Sequence, residues 1–174
     1  NELLLFTEMP MVMSSSRQEQ SIQKSSSAVS VITKEDIHYS GLTSIAEIMQ
    51  FAPGMDVLPL NRHRYAYGVH GLHDTFSDRV LTLIDGRSAD NPVFGGSELT
   101  RLPVFVEDIE RIEIVRGPAS ASWGANAYNG VINIITKKPS DAQGKFVSVG
   151  GSAFGDAYTQ ARWGGSKDDW AWRV

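Results

Sequence analysis

The side chains that could do chemistry fall into a few groups. Glu107, Asp108, Glu110 and Glu113 crowd one stretch, where two carboxylates could divide acid and base roles. They alternate with Ile109, Ile112 and Ile114, so solvated charge on one side of a strand accounts for them. His63, His70 and His73 lie within eleven residues and could bind zinc or an iron porphyrin. A strand through Tyr65–Gly71 would put His63 at its start and His73 beyond its end, which argues against a shared metal. Asn61, Arg62, His63, Arg64 and Tyr65 form a polar tip whose two guanidiniums would suit a carboxylate-bearing ligand. Asn91 and Phe94 belong to a second such stretch. Serine is abundant, yet no Gly-x-Ser-x-Gly elbow occurs. Gly117 and Gly124 bracket a turn without a following Gly-Lys-Ser/Thr, so a phosphate loop is excluded. No catalytic residue, metal ligand or cofactor site is assigned.

The elements that position these groups can be read in order. Residues 1–13 are apolar but interrupted by Pro10, which favours an extended chain. Residues 14–28 are rich in Ser and have the composition of a linker. Val29–Ile32 reads as a strand. Thr33-Lys34-Glu35-Asp36 and Ser44-Ile45-Ala46-Glu47 both resemble capping boxes, opening helices that stop at Gly41 and at Pro53-Gly54. Met55–Leu60 and Tyr65–Gly71 are strands around the polar tip, with Tyr65, Tyr67 and Val69 alternating. Arg79–Ile84 is a strand ending in the tight-turn pair Asp85-Gly86. Ser88–Leu99, with Asn91-Pro92 and Gly95-Gly96, is a long loop of the size that carries function. Pro103–Asp108 is a helical turn. Ile112–Val115 and the β-branched run Val131–Thr136 are strands, the second buried on both faces. Ala119–Ala127 joins them as a turn of small residues, with positive φ permitted at Gly117, Gly124 and Gly130.

After Pro139 the pattern changes to alternating strands with aromatic residues: Phe146–Ser152, Ala157–Gly164 and Trp170–Val174. Gly155-Asp156 and Gly165–Asp168 are the expected turns. This is the pattern of transmembrane β-barrels, though three strands suit a soluble meander equally. Such a ribbon leaves open edges and is expected to pair with another copy.

Bulk properties are those of a globular chain. There are 174 residues, 21% charged and 41% hydrophobic, with net charge −4. No basic stripe points to nucleic acid. The lack of cysteine excludes disulfides and thiolate metal sites. No apolar run approaches the roughly 18 residues of a membrane helix, and no signal peptide is visible.

Ile109–Pro118, Trp123-Gly124 and Gly130–Lys137, together with Val69-His70-Gly71 and Arg79–Gly86, resemble the signature of TonB-dependent outer-membrane receptors. The resemblance lies in the plug domain that fills the barrel. Trp123 stands where the family has Tyr, Asn129 where it more often has Gly. The resemblance implies an α+β fold: a small mixed β-sheet with two or three short helices, then the start of a transmembrane β-barrel. It implies a segment 1–28 carrying the TonB box, a plug over 29–139 and first barrel strands over 140–174. The implied function is gating and ligand sensing in active nutrient uptake, with no enzymatic activity. The implied location is the outer membrane, with the N-terminus in the periplasm.

The implied partners are the TonB C-terminal domain, the chain's own barrel, and a ferric siderophore, haem or cobalamin, with the iron–siderophore complex favoured. A soluble plug-like periplasmic domain is the alternative. Met11-Val12-Met13-Ser14-Ser15 loosely matches the TonB box, and Leu3–Phe6 competes with it. In the family an Arg commonly occupies the position of His70, and with the Arg matched by Arg116 it locks the plug to acids on the barrel wall. His70 therefore implies a weaker lock, strengthened in acid. Arg79, Arg87, Arg101, Arg111 and Arg116, interleaved with acids, suit a polar wall. Ligand contacts are expected from the two apical loops, through Asn61, Arg62, His63, Arg64, Tyr65, Asn91 and Phe94.

Overall fold

A computed structural model describes residues 11–13, 19–21, 27–61, 64–93, 95–151, 157–168 and 170–174. The chain divides into two compact units, Asn1–Thr136 and Lys137–Val174.

The first unit is built on a mixed five-stranded sheet. Its strands are β3 (Ala28–Thr33), β7 (Val80–Ile84), β8 (Arg87–Ser88), β9 (Ile109–Arg116) and β10 (Gly130–Thr136). Their order is β3-β9-β10-β7-β8, and β10 runs parallel to β7 but antiparallel to β9. As its β-branched run requires, β10 is covered on both faces. Ile112, Ile114, Ile132 and Ile134 join Val80 and Ile32 in the larger core, with Ile37, Ile45, Ile48 and Met49 from the helical segment. Leu81, Leu83, Val115 and Val131 form the second core, under Ala119, Ala127 and Trp123. Each such side chain contributes about 1.5–3 kcal/mol by leaving water.

Cover on both faces corrects the reading of the acids as solvated. Glu113 is 1% exposed and Asp108 is buried. Arg111 Nε donates to Glu113 Oε1 at 2.8 Å, so this arginine serves an internal partner. A carboxylate on the inner strand of a two-sided sheet has no solvent to face.

Helix α1 (Lys34–Ser40) starts and stops as its residues dictate. Asp36 N donates to Thr33 Oγ1 and Thr33 N to Asp36 Oδ2, closing the capping box, and Gly41 ends the helix at φ 66°. Helix α2 (Ile45–Ile48) lacks its expected box, since Ser44 accepts no capping bond. Ser44 stands near the Tyr65 phenol, which donates to Glu47.

A second sheet holds β4 (Met55–Asn61), β5 (Arg64–Val69) and β6 (Leu72–Asp74) in antiparallel order. Burial along β5 is continuous from Ala66 to Val69 rather than alternating. Gly68 explains part of this: a Cβ there would lie 2.1 Å from Leu72 O, so the strands close over it. The stretch Ala119–Ala127 contains a single helical turn, α3 (Ser120–Trp123). Gly117 and Gly124 take positive φ as expected, but Gly130 does not. Gly130 is needed for space, because a Cβ would meet Val115 O at 2.5 Å.

Near the N-terminus β1 (Met11–Met13) pairs antiparallel with β2 (Glu19–Ser21). The second unit is a meander of β11 (Gly144–Gly151), β12 (Ala157–Lys167) and β13 (Trp170–Arg173). Strand β12 runs to Lys167, so Gly165–Lys167 are ladder residues and not the expected turn. Gly155-Asp156 lies outside the described residues.

Candidate functional site

Two constellations lie at opposite ends of β5, whose six residues span about 20 Å at ~3.3 Å each.

At the C-terminal end the chain reverses through His70 and Gly71, both at positive φ. Such a conformation is uncommon for a residue with a Cβ. His70 N donates to Gly54 O at 3.1 Å. Arg116, the last residue of β9, donates from Nη1 to Pro53 O at 2.6 Å. A Cβ on Gly54 would lie 3.3 Å from His70 Cδ2 and Nε2 and 3.4 Å from Arg116 Nη1. The structure thus brings the two lock candidates together over the Pro53-Gly54 turn. Arg116 Nε is buried without a hydrogen-bond partner, and among the described residues no carboxylate pairs with this guanidinium. A planar fork with donors to spare is suited to a carboxylate.

At the N-terminal end the two predicted ligand loops meet. Arg64 Nε lies 3.3 Å from Glu98 Oε1, and Arg101 Nε lies 3.2 Å from Glu98 Oε2. The Arg64 guanidinium also sits 5.6 Å from the Phe76 ring centroid. This contact between the tip and the long loop joins residues 34 positions apart, and no local sequence signal announces it. Tyr67 strengthens the join: its buried hydroxyl contacts Thr82 Oγ1 at 3.1 Å, Ser97 O at 3.1 Å and Ser97 Oγ. Burial pushes the Tyr67 phenol above its ordinary pKa.

The other predicted contact residues are distributed unevenly. Asn61 is exposed at the end of β4. Arg62, His63 and Phe94 lie outside the described residues. Tyr65 turns toward α2 and donates to Glu47 Oε1 at 3.1 Å, and burial followed by the Glu47 charge raises its pKa. Asn91 is exposed, but its Oδ1 accepts from Val93 N at 2.9 Å, an Asx turn that shapes its own loop. Beside this loop is a cavity of about 730 Å³, lined in part by Asp85, Arg87, Asp90, Asn91, Glu98 and Arg101. That volume is within the range of small-molecule sites.

His73 lies exposed on β6, and no cluster of three metal-ligating side chains occurs among the described residues. In the TonB-box candidate Met11–Met13 is extended as β1, with Val12 opposite Gln20 and fully buried. Ser14, Ser15 and Leu3–Phe6 lie outside the described residues.

The family described as TonB-dependent Receptor Plug Domain matches residues 21–131. The vitamin B12 transporter BtuB of Vibrio vulnificus is 31% identical over 150 residues, covering 86% of this chain and 24% of the relative. The same transporter of Photobacterium profundum is 34% identical over 143 residues, covering 82% and 23%. This chain therefore spans about a quarter of the length of the curated relatives it matches. Among solved structures, the ferripyoverdine receptor of the outer membrane of Pseudomonas aeruginosa superposes with TM-score 0.71 at 20% identity, over 92% of this chain and 20% of the receptor. The ferric enterobactin receptor PfeA of the same species gives TM-score 0.58 at 26% identity, over 81% and 22%.

Proposed function

The chain belongs to the TonB-dependent receptor plug family, and from that premise we propose that it gates and senses ligand in an outer-membrane importer of a scarce metal chelate. The observation that carries this reading is the family match over residues 21–131, the body that contains both constellations. The relatives' fourfold greater length supports a plug followed by its own barrel. The alternating ribbon β11–β13 would supply that barrel's first strands.

Within this reading each end of β5 has a task. Arg116 and His70 form the lock, with a barrel-wall carboxylate taking the free side of the guanidinium. Asn61–Tyr67 and Ser88–Leu99, joined through Glu98, form the ligand-facing apex. Glu98 is shared by Arg64 and Arg101, so the cluster keeps one net positive charge, which with Arg62 supports an anion preference at the tip. Met11–Ser15 is the TonB box, adding as a strand to the sheet edge of the TonB C-terminal domain. The transported ligand is a ferric siderophore in the first reading. Cobalamin is the second, favoured by the relatives named as vitamin B12 transporters.

Uptake by a strain lacking the receptor gene tests this directly. Cells are supplied with cyanocobalamin, ferric siderophores or haem as sole source, with and without the plasmid-borne full-length receptor. One source should require the receptor, and Val12→Pro, which removes a ladder donor, should abolish that uptake. Equal growth on every source with and without the receptor would remove the importer reading; undiminished uptake in Val12→Pro would move the box elsewhere.

A further inference from the structure

The apical loop Ser88–Leu99 is anchored to the body of the plug at both legs, the first through Ala89 N donating to Thr82 O at 2.9 Å. The leg toward Leu99 is anchored in the body of the plug: Ser97 meets Tyr67, and Glu98 lies between Arg64 and Arg101. Gly96 is pressed so close to the preceding strand connection that a Cβ would lie 1.8 Å from Phe76 O. The tip is a turn closed on itself, with Asn91 N donating to Gly96 O at 2.7 Å and Gly95 N to Asn91 O at 2.9 Å. Those bonds give the tip a shape but do not fix where it stands.

Its side-chain tether comes from a different segment. Asn126, in the connection before β10, donates from Nδ2 to Asp90 Oδ2 at 3.0 Å and to Gly95 O at 2.7 Å. One amide thus grips the tip on both sides of Asn91–Val93. The segment carrying Asn126 is itself pinned. Gly117 N donates to Asn129 O at 2.8 Å, Ala119 N to Ala127 O at 3.0 Å and Asn129 N to Arg79 O at 2.8 Å. A fixed donor that bridges two points of a loop lowers the entropy the loop loses when it meets a ligand.

We propose that Asn126 is the positioning residue of the ligand-facing loop. Resting on the importer reading, this assigns to the 117–129 connection a part in ligand affinity, although no residue of that connection is placed in the contact surface. Asp90 lines the cavity beside the loop, and its Oδ1 is buried without a hydrogen-bond partner. Asn126 therefore also fixes the orientation of a carboxylate beside that cavity.

The test uses the full-length receptor. Amide hydrogen exchange without ligand is compared for wild type, Asn126→Ala, Asn126→Asp and the double variant Asn126→Asp with Asp90→Asn. Loss of one neutral and one charge-assisted hydrogen bond should speed exchange at Val93 and Gly95 by about 10-fold or more in Asn126→Ala. Asn126→Asp places two carboxylates together and should exceed that. The double variant restores a donor–acceptor pair between positions 90 and 126 but no donor to Gly95 O, so it should fall below Asn126→Asp without returning to wild type. Exchange in β9 and β10 should not change. Affinity for whichever of cyanocobalamin and ferric enterobactin the wild-type receptor binds should fall about 10-fold in Asn126→Ala.

Unchanged exchange at Val93 and Gly95 overturns the proposal, as does a rise spread equally over β9 and β10. Because the exchange arm needs no ligand, it fails or succeeds independently of the uptake experiment that tests the importer reading.

Discussion

Arg116 and His70 differ in what they can offer a carboxylate, and that difference is measurable. Arg116 already gives one donor to Pro53 O and keeps others free. Lysine is a point charge and cannot hold the turn and a second acceptor in the same plane. Plug release from the full-length receptor under denaturant should therefore come earlier in Arg116→Ala and in Arg116→Lys, and later in His70→Arg. Identical release in all three would remove these residues from the lock. Tyr67 makes a second residue-scale prediction. Its hydroxyl ties β5 to β7 and to the ligand loop, so Tyr67→Phe should cost about 1–3 kcal/mol by leaving buried partners unsatisfied. Its folded pKa is raised by burial above the ordinary tyrosine value of 10.0. The stability it contributes is thus complete below pH 10 and lost as pH rises through the folded value. Denaturation midpoints followed upward from pH 9 should decline less in Tyr67→Phe than in wild type.

At the scale of elements, the two helix starts make a paired test. Thr33 and Asp36 exchange both capping bonds, whereas Ser44 makes none. Thr33→Ala should cost about 1 kcal/mol through the cap. Ser44→Ala, which removes no capping bond, should change stability by less than about 0.5 kcal/mol. Strand β10 is the other element under strict demand. Ile132 is fully buried between two layers, and Ile132→Ala should cost about 2–5 kcal/mol. Gly130→Ala should be comparably damaging for a different reason, contact with the β9 backbone rather than a void. Thermal unfolding of each variant measures these costs.

At the scale of the molecule, the ribbon of the second unit sets behaviour in solution. On its exposed face Val147, Val149, Trp163, Trp170 and Trp172 stand together, with Trp163 and Trp172 edge to face at 5.6 Å. Among the described residues, strands β11 and β13 each leave one edge unpaired. An apolar face beside open edges is a template for association. Light scattering on the isolated 174-residue chain should show association, and a chain ending at Lys138 should be monomeric. A monomeric long form would show that the ribbon edges are not the cause.

The sequence by itself determined the elements whose signals are local. Thr33 and Asp36 are three residues apart, Asp85-Gly86 form a two-residue turn, and the β-branched run of β10 needs no distant partner to be read as a buried strand. The family signature likewise lay in contiguous residues, from Arg79–Gly86 to Gly130–Lys137. Only the tertiary structure decided what meets what. Ser44 makes no cap although its spacing matches a capping box, and Glu113 became buried because helices and the 117–129 connection cover both sheet faces. His70 joined Arg116 over Gly54, Arg64 joined Glu98, and Asn126 reached Asp90 and Gly95. These contacts link residues far apart in the chain, and neither periodicity nor spacing carries that information. It arises when the strands choose their neighbours, because the order β3-β9-β10-β7-β8 places together segments that the sequence keeps apart.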